Sequence, residues 1–189
     1  MSRPRSGRAG QSKRPAVAII IEEPDWRTQP RVITTIRRAA GLALAAKSAY
    51  SRAHWNRASV SVLLTDDARL KQLNAAFRNQ TKPTNVLSFP ALPDLWPYAG
   101  DIAVAYGVLR RESAAQSKSL AAHAAHLTIH GILHLLGYDH ERPDEAKVME
   151  NLEILLLGKL GIADPYAPVP IRRRPKRPKF RRCPKVPAR

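Results

Sequence analysis

Cysteine is almost missing from this chain: Cys183 is the only one among 189 residues. A single thiol cannot build an intrachain disulfide framework, and such scarcity fits a reducing compartment, so no disulfide-linked partner is expected. Cys183 also lies in a proline- and arginine-rich tail, where no fold would support it as a thiolate catalyst. A secretory signal is not expected either. No apolar run of roughly 7–15 residues, the length of a signal-peptide core, follows the basic N terminus. Residues 119–138 carry no Lys, Arg, Asp or Glu, but four histidines interrupt them, which argues for a soluble helix and no membrane association. A cytoplasmic location is the simplest inference. The acid-free, Arg- and Ser-bearing N terminus also has the composition of an organelle transit peptide, although its prolines interrupt an amphipathic helix.

Acidic residues are absent from both ends, and this places the formal charge of +17. Residues 1–15 hold five Lys or Arg and residues 172–189 hold ten, with no acid in either stretch. Residues 16–171 carry 17 basic and 15 acidic side chains, a net of only +2. The basicity therefore belongs to two tails. Both are too poor in large apolar groups to offset the entropy of ordering, so residues 1–15 and 168–189 are expected to be disordered alone. Arg172, Arg173, Arg174, Lys176 and Arg177 have the chemistry to neutralise phosphates and add salt-sensitive affinity for RNA. The competing reading is a solvated tail that keeps the protein soluble.

The remainder, residues 16–167, has the length of one ordinary domain. Ala16–Ile21 is short, apolar and partly β-branched, and Pro24 closes it, so it reads as a strand. Residues 31–50 repeat apolar side chains at helical spacing. A second strand follows over Ala58–Leu64, then a helix with Thr65 as N-cap and Leu70, Leu73 and Phe77 on its apolar face. Further strands are expected at Asn85–Phe89 and Asp101–Tyr106, and helices at Val108–Ser117, Leu120–Leu136 and Asp144–Leu160. Strands and helices mixed without strict βαβ alternation predict an α+β domain, with helices packed on about four strands of one mixed sheet.

The chemistry concentrates in His130-Gly131-Ile132-Leu133-His134-Leu135-Leu136-Gly137-Tyr138-Asp139-His140. Residues four apart on an α-helix lie one above the other, so His130 and His134 can grip one ion. Gly137 can take the left-handed conformation that ends a helix, and the turn would bring His140 to the same ion. Three imidazoles with an open fourth position describe a catalytic zinc site, because structural sites are closed by four protein ligands. At about 1.5 Å rise per residue, His126 lies ~12 Å along the axis from His134, too far to share the ion. Supporting a ligand, facing substrate and plain packing all remain open for His126, and His123 reads as structural. Asp139 has two readings, one as a group that hydrogen-bonds water at the ion or orients an imidazole, the other as a carboxylate that satisfies turn backbone.

The spacing is that of metzincin-type proteases, but Gly131 replaces the glutamate that serves them as general base. Peptide cleavage by the usual zincin route is therefore not expected, whereas hydrolysis by zinc-activated water is. The histidine motif, together with Lys82-Pro83-Thr84-Asn85-Val86-Leu87-Ser88-Phe89-Pro90, Gly100-Asp101-Ile102 and Asp164-Pro165-Tyr166, resembles the YbeY family of bacterial rRNA-maturation endoribonucleases over residues 58–166. The resemblance implies a zinc-dependent, single-strand-specific endoribonuclease acting in 3′-end maturation of small-subunit rRNA and in ribosome quality control. It implies RNA and the ribosome, or its small subunit, as partners. It also implies that Arg78 is functional, which suits a guanidinium able to hold a phosphate bidentately. Without it, Arg78 is only a helix-terminal cation favoured by the dipole. The rival functions are a non-catalytic ribosome assembly factor with bound zinc and a zinc metalloprotease.

Overall fold

The structure, a computed structural model, describes residues 15–46 and 58–167. The expectations for both basic tails, including Cys183 and the Arg172–Arg177 phosphate contacts, lie outside those residues, as does the end of the first helix beyond Ala46. The chain forms an α+β domain. Its strands are β1 (Ala16–Ile21), β2 (Ser59–Thr65), β3 (Val86–Pro90) and β4 (Tyr98–Ala105); its helices are α1 (Pro30–Ala45), α2 (Asp67–Arg78), α3 (Tyr106–Ala115), α4 (Leu120–Leu135) and α5 (Pro143–Lys159). The sheet runs β1-β2-β4-β3, with β1, β2 and β4 parallel and β3 antiparallel on one edge.

Parallel neighbours need a crossover, and α1 supplies it between β1 and β2. Val32, Ile36, Ala39, Ala40, Ala43 and Leu44 form the buried stripe of α1 and join Val60, Val62, Leu64, Ile102 and Val104 in the main core, which α4 and α5 complete. A smaller cluster on the other sheet face gathers Leu70 of α2, Leu87 of β3, Ala103 and Ala105 of β4 and Val108 of α3. The edge strand β3 therefore lies between α2 and α4, its alternate side chains pointing to each.

Three boundaries differ from the sequence reading. Thr65 is not the cap of α2: it ends β2, buried, with its hydroxyl donating to Glu22 at 2.7 Å, and Asp66 caps the helix by accepting from the Arg69 amide at 2.6 Å. Helix α3 begins at Tyr106, where a strand was expected to finish. The cause is Asp67, whose carboxylate reaches across 41 positions to accept from the Val108 amide at 2.8 Å and pairs with Arg111 at 2.8 Å, holding the first turn of α3 from outside. Strand β4 starts at Tyr98 and not at Asp101, because Tyr98 already pairs with Ser59 of β2.

Candidate metal centre

Helix α4 begins with Ser119, whose hydroxyl accepts from the Ala122 amide at 3.1 Å. Its C terminus follows the sequence reading closely. Gly137 has φ +86°, its amide donates to the His134 carbonyl at 3.0 Å, and the Tyr138 amide donates to the Leu133 carbonyl at 3.0 Å. This paired pattern is a Schellman motif, which reverses the chain just after the second histidine. His140 returns to the helix as a result. Its ring centroid lies 5.3 Å from His130 and 5.0 Å from His134, and one nitrogen from each of the three rings falls within 4.8 Å of the others.

The hydrogen-bond partners behind these rings decide what the nitrogens can do. His130 donates from Nδ1 to Glu153 at 2.8 Å, and His134 donates from Nδ1 to the Tyr138 carbonyl at 3.1 Å. In the neutral form each ring then carries its lone pair on Nε2. Those two Nε2 atoms face each other at 3.2 Å. Two lone pairs at that distance repel, so the arrangement suits a shared cation. Burial, reinforced by the neighbouring His130 and His140, lowers His134 to about 4, which keeps it neutral and able to ligate near pH 7. The donor set fits a metal ion.

Glu153 was not singled out by its sequence, and it organises the back of the site. Its side chain is 1% exposed and accepts from His130 Nδ1, from His126 Nε2 at 2.9 Å and from the Tyr166 hydroxyl. Burial alone would raise its pKa, but those three donors outweigh burial and hold the carboxyl at about 2. One signal was available: with Met149, Leu156 and Leu157 it completes the buried stripe of α5, so an acid occupies an apolar position. His126 is thus joined to His130 through Glu153, an arrangement that suits the supporting role among the three left open. His123 is buried and bonds Glu112 at 2.8 Å, away from the cluster, as the structural reading expected.

Gly131 is explained by packing. A Cβ there would stand 3.1 Å from Ser88 Oγ and 3.2 Å from Ile102, and the Ser88 hydroxyl donates to the Gly131 carbonyl at 2.9 Å. Strand β3 lies where a glutamate side chain would have to go.

In front of the histidines is an open cleft of about 390 Å³ lined by Arg78, Ser88, His134, Tyr138, Asp139 and His140. Arg78 ends α2 and its guanidinium bonds the Ser88 carbonyl at 3.4 Å, which carries the charge to the cleft. Asp139 accepts from the His140 amide at 2.7 Å, so it does satisfy turn backbone, and it lines the cleft as well.

The model of the family described as Endoribonuclease YbeY matches residues 25–161. The chain belongs to the YbeY family. Curated members similar to it include endoribonuclease YbeY of Rhodopseudomonas palustris, 44% identical over 82% of this chain and 83% of the relative, and that of Nitrobacter hamburgensis, 44% identical over 87% and 93%. A third, from Sinorhizobium fredii, is 41% identical over 82% of this chain and 93% of its own length. A solution structure of a Thermotoga maritima protein aligns with a TM-score of 0.47 at 22% identity, covering 80% of this chain and 99% of that one. The YbeY match spans every element from α1 to α5 and includes all three clustered histidines.

Proposed function

We propose that this YbeY protein is a zinc-dependent endoribonuclease that cuts single-stranded RNA in 3′-end maturation of small-subunit rRNA and in ribosome quality control, acting in the cytoplasm on the ribosome or its small subunit. The observation that carries the reading is the convergence of three imidazole nitrogens, two with their tautomer set from behind, beside a cleft that His134 and His140 line together with Arg78. Family membership supplies the reaction class.

His130, His134 and His140 would hold the zinc, which when bound acts as a Lewis acid and brings the pKa of water near 7. Glu153 fixes the His130 ring so that Nε2 points forward. Arg78 is placed to grip two oxygens of the scissile phosphate and to offset charge as it builds there. The Asp139 carboxylate, on the cleft wall beside His140, is placed to take a proton. The metalloprotease reading fares worse, since the position of the zincin glutamate is filled by contact between Gly131 and β3.

The test combines metal analysis of the purified protein with cleavage of matched single- and double-stranded RNA. About one zinc per chain and cleavage confined to single strands support the reading. A protein that retains zinc but leaves both RNAs uncut would be an assembly factor and not a nuclease.

A further inference from the structure

Phenylalanine occurs only three times in this chain, and two of the three touch each other beside the cleft. The rings of Phe77 and Phe89 meet edge to face, with centroids 5.2 Å apart and planes at 71°. Phe77 is 68% exposed. Exposure of that extent forgoes most of the stabilisation its burial would bring, so Phe77, placed by its sequence on the apolar face of α2, contributes little to the core and keeps an open ring face. Phe77 precedes Arg78 and Phe89 follows Ser88, and both of those neighbours line the cleft. The Arg78 bond to the Ser88 carbonyl joins the two elements, and Ser88 is in turn tied to Gly131, one residue past His130. The aromatic pair therefore sits on the α2 face of the edge strand, across β3 from the histidines. Among the described residues no further strand covers that edge.

Charge indicates what would rest on it. Residues 70–93 contain Lys71, Arg78 and Lys82 and no acid, Arg69 being paired with Glu22 at the far end of α2, whereas Asp139 and Glu141 line the other wall. A polyanion is thus drawn to the α2–β3 side. We propose that Phe77, backed by Phe89, is a stacking platform for an unpaired base of the RNA strand whose phosphate lies at Arg78. The inference rests on the endoribonuclease reading and deepens it. Aromatic side chains take bases by their faces regardless of sequence, and a duplex has those faces already occupied. The platform would thereby contribute to the choice of single strands.

The test uses full-length, metal-loaded protein and a short oligoribonucleotide carrying one fluorescent purine analogue, read by stopped flow before cleavage begins. Phe77→Tyr should bind like the parent, while Phe77→Ala and Phe77→Leu should bind roughly 5- to 150-fold more weakly. An abasic site at the stacked position should erase the difference between parent and Phe77→Ala. Because stacking is uncharged, the salt dependence should not change with Phe77→Ala, whereas Arg78→Ala should make its slope shallower by about 0.7. Equal binding by Phe77→Leu overturns the proposal by reducing the site to an apolar contact. So does a Phe77→Ala variant that loses ribosomal particles but keeps oligonucleotide affinity, since the patch would then dock protein. The signal precedes chemistry, so a protein that stacks RNA without cutting it refutes the reaction and not the platform.

Discussion

Glu153 shows how much one residue can matter without announcing itself in a motif. The three histidines were legible because their spacing is local: four residues along a helix and a glycine-led turn leave little freedom. Glu153 reaches them from α5, and only tertiary packing brings that helix alongside α4. Its three donors hold it ionised, and the negative charge holds the His130 N–H. Glu153→Gln keeps the size but removes the charge and offers an amide that can face the wrong way, so metal affinity should fall about 10- to 100-fold. Competition with a chromogenic chelator measures this; unchanged affinity would mean that His130 needs no support. Arg78 poses the converse problem, because its sequence context allowed a mere helix-end cation. At the cleft, beside Ser88, it is placed for a phosphate, and Arg78→Ala should retain metal but lose on the order of 10²–10³ in single-turnover RNA cleavage. Arg78→Lys, with charge but no planar fork, should recover little of it. Near-parental rates for both variants would return Arg78 to the helix-dipole role.

Among the elements, α4 came through most faithfully, since its start at Leu120 and its terminal glycine both agree, while the serine that caps it, Ser119, was not singled out. Where elements depend on distant partners, the reading slipped. Thr65 has the chemistry of an N-cap, yet Glu22 engages its hydroxyl and Asp66 takes its place; α3 starts early because Asp67 caps it from another helix. The end of α4 permits a clean test of the turn. A Cβ on Gly137 would meet nothing within 4 Å, so Gly137→Ala exposes the cost of the left-handed backbone alone. Roughly 1–2 kcal/mol of stability should be lost in denaturant melts of metal-free protein. Metal affinity should drop too, because the same turn delivers His140.

Helix α4 also sets the response to acid. Burial lowers His123, and lowers His134 from 6.5 to about 4, so between those pH values the unfolded chain binds protons that the folded chain refuses. Stability present above pH 6.5 should therefore decline as pH falls toward 4. Glu153 adds a second loss in the same direction, as pH drops from 4.5 to about 2 and its carboxylate is protonated. Thermal melts of metal-stripped protein across this range should show both arms, and Glu153→Gln should abolish the lower one. A flat profile down to about pH 4.5 would mean that the histidine rings are hydrated.

For the whole molecule, the decisive fact is where charge is not. The residues proposed for metal binding and catalysis lie between Arg78 and Glu153, within a stretch, residues 16–171, that carries a net of +2, so the domain itself has little long-range pull on a polyanion. Ten Lys or Arg without an acid sit in residues 172–189, past Tyr166, the last of the described residues that bonds Glu153. Removing residues 172–189 should accordingly leave metal content and melting behaviour unchanged. It should weaken RNA binding, and above all change its salt dependence. Each phosphate paired on a single strand contributes about 0.7 to the slope of log affinity against log salt, so a tail that engages five phosphates would steepen it by about 3.5. The truncated protein should show a slope shallower by an amount of that order, with the loss largest at low salt. Cleavage at saturating RNA should hardly move, because the tail supplies encounter and not chemistry; the defect belongs in KM and not in kcat. If both proteins share one affinity and one salt slope, the tail serves solubility, and RNA capture falls to Arg78 and the aromatic platform beside it.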